Sequence, residues 1–246
     1  MMMQSLPDLI DHEVASRIHL PSQVPFEKVF YVGIAIQRHS DTHFHAGMLY
    51  RDHISGKCFL LHVPGDMSLQ NEPPDESYAW VSPELHPLRA PQVAAWCRLV
   101  RDANIANGVP YGFSDPRKCF DQVSGKFLKD NGKVGLTCSS FVLAVFDLAG
   151  LPLIEYDSWE NRLDDNECFN RYADMIQRNS DSWKLSDDFV EQMRAEIGNY
   201  RYRPTEVAGA GMAIKPNGSP ISFKDAVNLG EYVVHFTKLS QNRATA

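Results

Sequence analysis

The chain has 246 residues, of which 43% are hydrophobic and 22% charged, enough to bury a sizeable core. Its net charge is −7 and it has no basic stripe, so a nucleic acid is not an expected partner. No apolar run is long enough for an integral membrane segment, and the acidic residues among the first 25 exclude a secretory signal. We expect a protein that is cytoplasmic in the producing cell, or exported by a signal-peptide-independent route.

The cysteines favour reduced thiols. There are five, an odd number with no CxxC pair, at positions 58, 97, 119, 138 and 168. This pattern predicts neither a disulfide framework nor a cysteine-type zinc site. We expect one of the thiols to be reactive, and we expect no cofactor.

The first half of the chain favours antiparallel strands. Residues 30–37, 43–51 and 57–63 are rich in β-branched and aromatic side chains, and Ser55-Gly56 between the last two is a turn signal. Residues 64–90 contain five prolines and predict a long irregular loop or lid.

Helical patterns follow that loop. A helix is predicted to open at Pro91, and residues 136–153 predict a buried helix with Thr137 or Cys138 as N-cap and Gly150 as its stop. Residues 186–197 and 222–229 also predict helices, whereas residues 232–239 predict a closing strand. The fold class is therefore α+β.

Cys138 is the best candidate for a nucleophile. A cysteine in the first turn of a helix has its thiolate stabilised by the partial positive charge there, and a nearby imidazolium adds to this effect. Gly135 just before it permits a tight approach into the helix, and the free N–H groups of the first turn are candidate oxyanion donors. The alternative is a buried cysteine that only packs in the core.

His45 is the candidate base, because it lies in a predicted strand and is followed by small residues. If residues 55 and 56 form a two-residue loop, Leu49 lies opposite His62 and Asp66 lies opposite His45, all on one sheet face. Either His62 or Asp66 would then orient the imidazole.

Four segments in this order resemble the circularly permuted branch of the NlpC-type cysteine peptidases, which includes the lecithin:retinol acyltransferase-like enzymes. HAGMLY at 45–50 and LLHV at 60–63 resemble two of its strands, and TCSSFVLAVFDLAGLPL at 137–153 resembles its nucleophile helix. VPYG at 109–112 is similar to a segment upstream of that helix.

The resemblance implies Cys138 as nucleophile, His45 as base and His62 as orienter. It also implies a papain-like antiparallel sheet packed against the nucleophile helix, with inserted loops and a C-terminal extension. We expect a single catalytic domain over residues 1–246, with core motifs in 30–153 and an accessory part in 154–246. Thr137 departs from the family, since many relatives have Asp or Asn there, and the hairpin is longer than usual.

The histidines at 43, 45, 53 and 62 raise the alternative of a metal site, but they lack a convincing carboxylate partner, so no metal is predicted.

The resulting hypothesis is a thiol hydrolase that cleaves an amide bond. The resemblance implies a peptide substrate in bacterial cell-wall material, and an exported antibacterial effector would in addition need an immunity or carrier protein. Two alternatives stay open at this point. One is an acyltransferase or thioesterase acting on lipids or small amides, and the other is a catalytically idle interaction domain.

Overall fold

A computed structural model describes residues 10–129 and 133–244, and it confirms the α+β class. Six strands form one antiparallel sheet in the order β1-β6-β2-β3-β4-β5. Their bounds are β1 Ile18–His19, β2 Val32–Arg38, β3 Phe44–Arg51, β4 Cys58–His62, β5 Gln70–Glu72 and β6 Tyr78–Val81.

Helices cover one face of this sheet and make up most of the second half of the described chain. They are α1 His12–Ala15, α2 Arg89–Asn104, α3 Cys138–Leu148, α4 Asp165–Arg178, α5 Ser180–Trp183, α6 Asp187–Ala195, α7 Pro204–Ala213 and α8 Phe223–Ala244. Single 3₁₀ turns lie at Phe26–Lys28 and Tyr156–Ser158. Every helix in these residues is too short or too polar to cross a bilayer.

The predicted helix around Cys138 is confirmed. Thr137 is its N-cap, with the hydroxyl accepting from the backbone N–H of Ser140 and the Ser140 hydroxyl accepting from the N–H of Thr137. At the other end Gly150 has φ +68°, the left-handed conformation that ends a helix. The first nine residues of α3 are all buried, as its apolar sequence requires.

The two faces of the sheet carry different cores. Ile34, Ile36, Ala46 and Met48 belong to the large core that contains α2, α3 and α7. The alternate residues form a smaller cluster with the N-terminal segment, and its members include Ala35, Leu49, Leu60 and Trp80. Because strand side chains alternate, His45 shares the second face with Leu49, and His62 shares it with Leu60.

The predicted loop at 64–90 is wrong in part, since it contains β5 and β6. β6 pairs with both β1 and β2, so it is an interior strand of the sheet. Its sequence, YAWV, is a short apolar run with all four residues buried. The prolines that predicted a loop fall outside the strands, and Pro73-Pro74 follows β5 directly.

The predicted strand at 232–239 is also wrong, because these residues continue α8. Ala226, Val233 and Thr237 are buried at helical spacing, facing α7. The two helices pack closely because α7 has glycines at the contact: a Cβ on Gly209 would lie 2.7 Å from the Cβ of Leu229. This tertiary contact overrides the β propensity of YVVHFTKL.

The C-terminal helices are built into the main core. Val207, Ala208 and Met212 of α7 are buried in the same cluster as Ile34 of the sheet. A Cβ on Gly211 would lie 2.4 Å from the Cδ1 of Ile34, so α7 approaches β2 very closely. Residues beyond 153 therefore help to build the same core as the sheet.

Candidate active site

Cys138 is the first residue of α3 and is buried, with 7% of its surface exposed. The chain reaches it through a tight crossing with the 109–112 segment. Leu136 donates its N–H to the carbonyl of Pro110, and a Cβ on Gly135 would lie 2.3 Å from that same oxygen. Gly135 is therefore required for the approach into the helix, as the sequence predicts.

The sulfur of Cys138 is directed at the strand that carries His45. The backbone N–H of Ala46, the next residue along β3, hydrogen-bonds to the sulfur and acts to lower the pKa of Cys138. The N–H groups of Cys138 and Ser139 and the Ser139 hydroxyl act in the same direction. These contacts place the sulfur at the backbone of β3 beside Ala46, one residue along the strand from His45, whose side chain lies on the other face of the sheet.

His45 is joined to two further side chains by a line of hydrogen bonds. Its Nε2 lies 2.7 Å from Nδ1 of His62, and Nε2 of His62 lies 3.2 Å from Oε1 of Glu72. Glu72 lies in β5, a strand that the sequence analysis did not predict, and no pattern in the sequence singles this residue out.

The carboxylate sets the tautomers along this line. A carboxylate only accepts, so His62 carries its proton on Nε2 and presents the lone pair of Nδ1. His45 must then donate from Nε2, which leaves its own Nδ1 unprotonated and able to accept a proton. This is the arrangement that a general base requires.

The register of the hairpin corrects one expectation. Leu49 pairs with Leu60, and the ladder runs from Met48–Leu61 to Arg51–Cys58. The connecting loop is thus six residues long instead of two, and the pairing is shifted by two positions. Because side chains alternate between the faces of a strand, a register shift of two residues leaves His62 on the same sheet face as His45. His62 lies opposite Gly47 and is hydrogen-bonded diagonally to His45.

Asp66 does not lie opposite His45. It follows the end of β4, and its carboxylate accepts from the backbone N–H and the hydroxyl of Ser68. Of the two orienters considered from the sequence, only His62 has a hydrogen bond to His45 among the described contacts.

Burial dominates the electrostatics of these groups. It raises the pKa of the Cys138 thiol, despite the hydrogen bonds that oppose this shift. It lowers the pKa of His45 to about 4, although the charge of Glu72 acts in the opposite direction. The pKa of His62 is likewise lowered, by burial and by the neighbouring His45. At neutral pH the site therefore holds a neutral thiol and neutral imidazoles, whereas the sequence analysis expected a thiolate stabilised by an imidazolium.

A cleft of about 760 Å³ opens above Cys138. One wall is formed by the β2–β3 turn at residues 40–44 and by the first turn of α3. The other is formed by α4 and the segment 200–205, so the accessory C-terminal part contributes half of the cleft.

Two tyrosines lie between these walls. The rings of Tyr111 and Tyr172 are 5.6 Å apart, their hydroxyls are hydrogen-bonded, and Cys138 contributes to the raised pKa of both. The sequence places Tyr111 in the VPYG segment, but it does not indicate Tyr172, because α4 itself was not predicted.

Of the remaining histidines, His53 lies on the surface beside Arg98. His39 lies near His45, with their ring centroids 6.5 Å apart, and the His43 ring meets His39 edge-to-face at 5.1 Å. Within residues 10–129 and 133–244, no three His, Cys, Asp or Glu side chains are placed to hold a metal ion.

Comparison of the chain with protein-family models, with curated proteins and with solved structures gave no match. The resemblance to the NlpC-type peptidases therefore depends on the four short segments and their order. The sheet packed against α3 is compatible with the papain-like arrangement that this resemblance implies.

Proposed function

We propose that this protein is a thiol hydrolase that cleaves an amide bond, with Cys138 as nucleophile and His45 as general base. The observation that carries the proposal is the position of Cys138. It lies at the N-terminus of a buried helix, on the lining of a cleft, with its sulfur near the backbone N–H of Ala46, the residue that follows His45 on β3.

In the first half of the reaction, the sulfur of Cys138 attacks the amide carbonyl while Nδ1 of His45 takes the thiol proton. The N–H groups of Cys138 and Ser139 lie in the first turn of α3, where no helical carbonyl can accept them, and they are suited to hold the oxyanion. His45 then gives the proton to the leaving amine, and a thioester remains on Cys138.

In the second half, His45 removes a proton from water, and the hydroxide attacks the thioester. Cys138 leaves as the thiol once His45 returns the proton, and the carboxylic acid is released. Throughout, His62 and Glu72 hold His45 in one tautomer and stabilise the imidazolium that forms transiently.

For the substrate, the resemblance supports a peptide of bacterial cell-wall material, and an exported antibacterial effector is the biological role we propose with it. The lining of the cleft includes charged side chains, such as Asp164, Arg171 and Arg178, which favour a polar substrate over a lipid. We therefore prefer the hydrolase to the acyltransferase.

The test is hydrolysis of purified bacterial cell wall followed by mass spectrometry of the released fragments. Wild-type protein should release peptides with new termini, while Cys138→Ala should release none and should keep the circular dichroism spectrum of the wild type. His45→Gln should lose nearly all activity, because Gln cannot take up the thiol proton. Product release by Cys138→Ala would refute the assignment of the nucleophile.

One observation favours a second candidate, the idle interaction domain. The raised pKa of Cys138 gives it a low thiolate fraction at neutral pH, which is also the property of a structural cysteine. The two candidates differ in cosedimentation with cell wall. An idle domain binds without releasing product, and Cys138→Ala leaves that binding unchanged, whereas the hydrolase converts its substrate.

A further inference from the structure

The wall of the cleft opposite Cys138 is one face of α4. The residues of α4 that line the cleft are spaced three or four positions apart, as one helix face requires. They include Cys168, Arg171, Tyr172 and Met175. Arg178 follows Arg171 by seven positions on the same face, or about 10 Å along the axis.

The lining of the cleft has the opposite charge to the chain as a whole, whose net charge is −7. The lining contains four arginines and two aspartates, which are Arg171, Arg178, Arg201, Arg203, Asp41 and Asp164. An excess of arginine in one concave region of an acidic protein is a local field that attracts anions.

The four arginines fall into two groups. Arg201 and Arg203 are held by Asp164, at 3.2 and 2.8 Å. Arg171 and Arg178 are exposed, and neither forms an ion pair with a described carboxylate. Among the described contacts, Arg178 donates to the backbone carbonyl of Asp174. The pair on α4 is therefore available to a ligand.

We propose that α4 is an anion-binding subsite, and that the substrate of this cleft carries a carboxylate or phosphate group on the side that faces Arg171 and Arg178. A guanidinium binds either oxyanion through two parallel N–H groups. The inference builds on the proposed function, because it assigns the charge of the group that is bound while Cys138 attacks the amide.

Two reagents of the same size test this directly. Iodoacetate and iodoacetamide both alkylate a thiolate with loss of iodide, but only iodoacetate is an anion. Because both react with the same thiolate, the ratio of their rates at Cys138 is independent of the raised pKa of the thiol. The rates are measured at pH 9 and low ionic strength by mass spectrometry, with the ratio for N-acetylcysteine as reference.

The ratio of iodoacetate to iodoacetamide at wild-type Cys138 should exceed the reference by about threefold or more. It should return close to the reference in the double variant Arg171→Gln/Arg178→Gln and in 1 M salt. Arg89→Gln removes an exposed arginine on α2 outside the cleft; it is the control for loss of a positive charge elsewhere and should keep the wild-type ratio.

A wild-type ratio at or below the reference would overturn the subsite, even if the cell-wall assay confirms the hydrolase. Conversely, an elevated ratio in a protein that never releases product would retain the subsite and reject the hydrolase. Protection of Cys138 from iodoacetamide then identifies the anion. Protection by citrate indicates a carboxylate, and protection by inorganic phosphate indicates a phosphate. The absence of protection by either anion contradicts the proposal.

Discussion

Lowering the pH from 8 to 5 should destabilise the fold in part through His45, and His45→Gln should remove that part of the loss. Burial lowers the pKa of His45 to about 4 from an ordinary value of 6.5. Between these two values the unfolded chain binds the proton and the folded chain does not. Stability therefore falls as the pH drops below the unfolded pKa, and the loss is complete below the folded pKa.

The size of the effect follows from the shift. At pH 5 the unfolded imidazole is almost fully protonated, whereas the folded one is about nine-tenths neutral. Linkage then gives a loss of about 2 kcal/mol relative to pH 8, rising to about 3 kcal/mol below pH 4. Domains of this kind are stable by only about 5–15 kcal/mol, so the loss is readily measured.

Urea unfolding at pH 8 and pH 5, followed by tryptophan fluorescence, measures this difference. The wild type should lose about 2 kcal/mol more than His45→Gln between the two pH values. The other titratable groups, His62 included, are present in both proteins, so the comparison isolates the contribution of His45. His12→Gln, which replaces an exposed histidine of α1, is the matched control and should follow the wild type. An equal loss in wild type and His45→Gln would refute the claim that burial keeps His45 neutral.

Two further predictions concern the residues around the base. Gly47→Ala should lower the rate of product release about tenfold or more while the fold persists, because the added Cβ would lie 2.8 Å from the Cβ of His62 and must displace it from His45. A wild-type rate in this variant would show that the hydrogen bond between the histidines is dispensable. His62→Ala should lose about ten- to a hundredfold in rate, Glu72→Ala should lose less because half of its side chain is exposed, and Asp66→Ala should match the wild type. A crippled Asp66→Ala beside an active His62→Ala would reverse the assignment.

The elements that were predicted correctly are those whose pattern is local. The buried helix at α3 has a cap, an apolar run and a glycine stop within 14 residues, from Thr137 to Gly150. β2, β3 and β4 are each continuous runs of strand-forming residues. Such segments are specified by their own sequence, and the structure changes their predicted bounds by only one or two residues.

The errors arise where distant contacts decide the structure. Residues 232–239 have high β propensity but form a helix. The close packing of α8 against the small residues of α7 buries one helical face of this segment and decides its structure. β6 is a short run beside prolines, and it becomes a strand because β2 offers an unpaired edge. The hairpin register depends on a six-residue loop in which Gly56 has φ +68°, and the turn signal at Ser55-Gly56 does not specify its length.

The same division applies to the candidate site. Cys138 and His45 stand in motifs with a local physical reason, and the structure packs α3 against β3. Glu72 and Tyr172 come from elements that were not predicted, so no reasoning from spacing reaches them. The missing information is tertiary in both cases: Glu72 is placed by the pairing of β5 with β4, and Tyr172 by the packing of α4 over the cleft.

Burial has one consequence that links the fold to the chemistry. It raises the pKa of Cys138 and lowers that of His45, so both shifts oppose a resting ion pair. The charges must then form only as the sulfur attacks, when the first-turn N–H groups of α3 and the line from His62 to Glu72 are already oriented to receive them. A neutral resting site is the less reactive state towards general electrophiles. Selectivity would thus come from a substrate that fits the cleft closely enough for His45 to take the proton during attack.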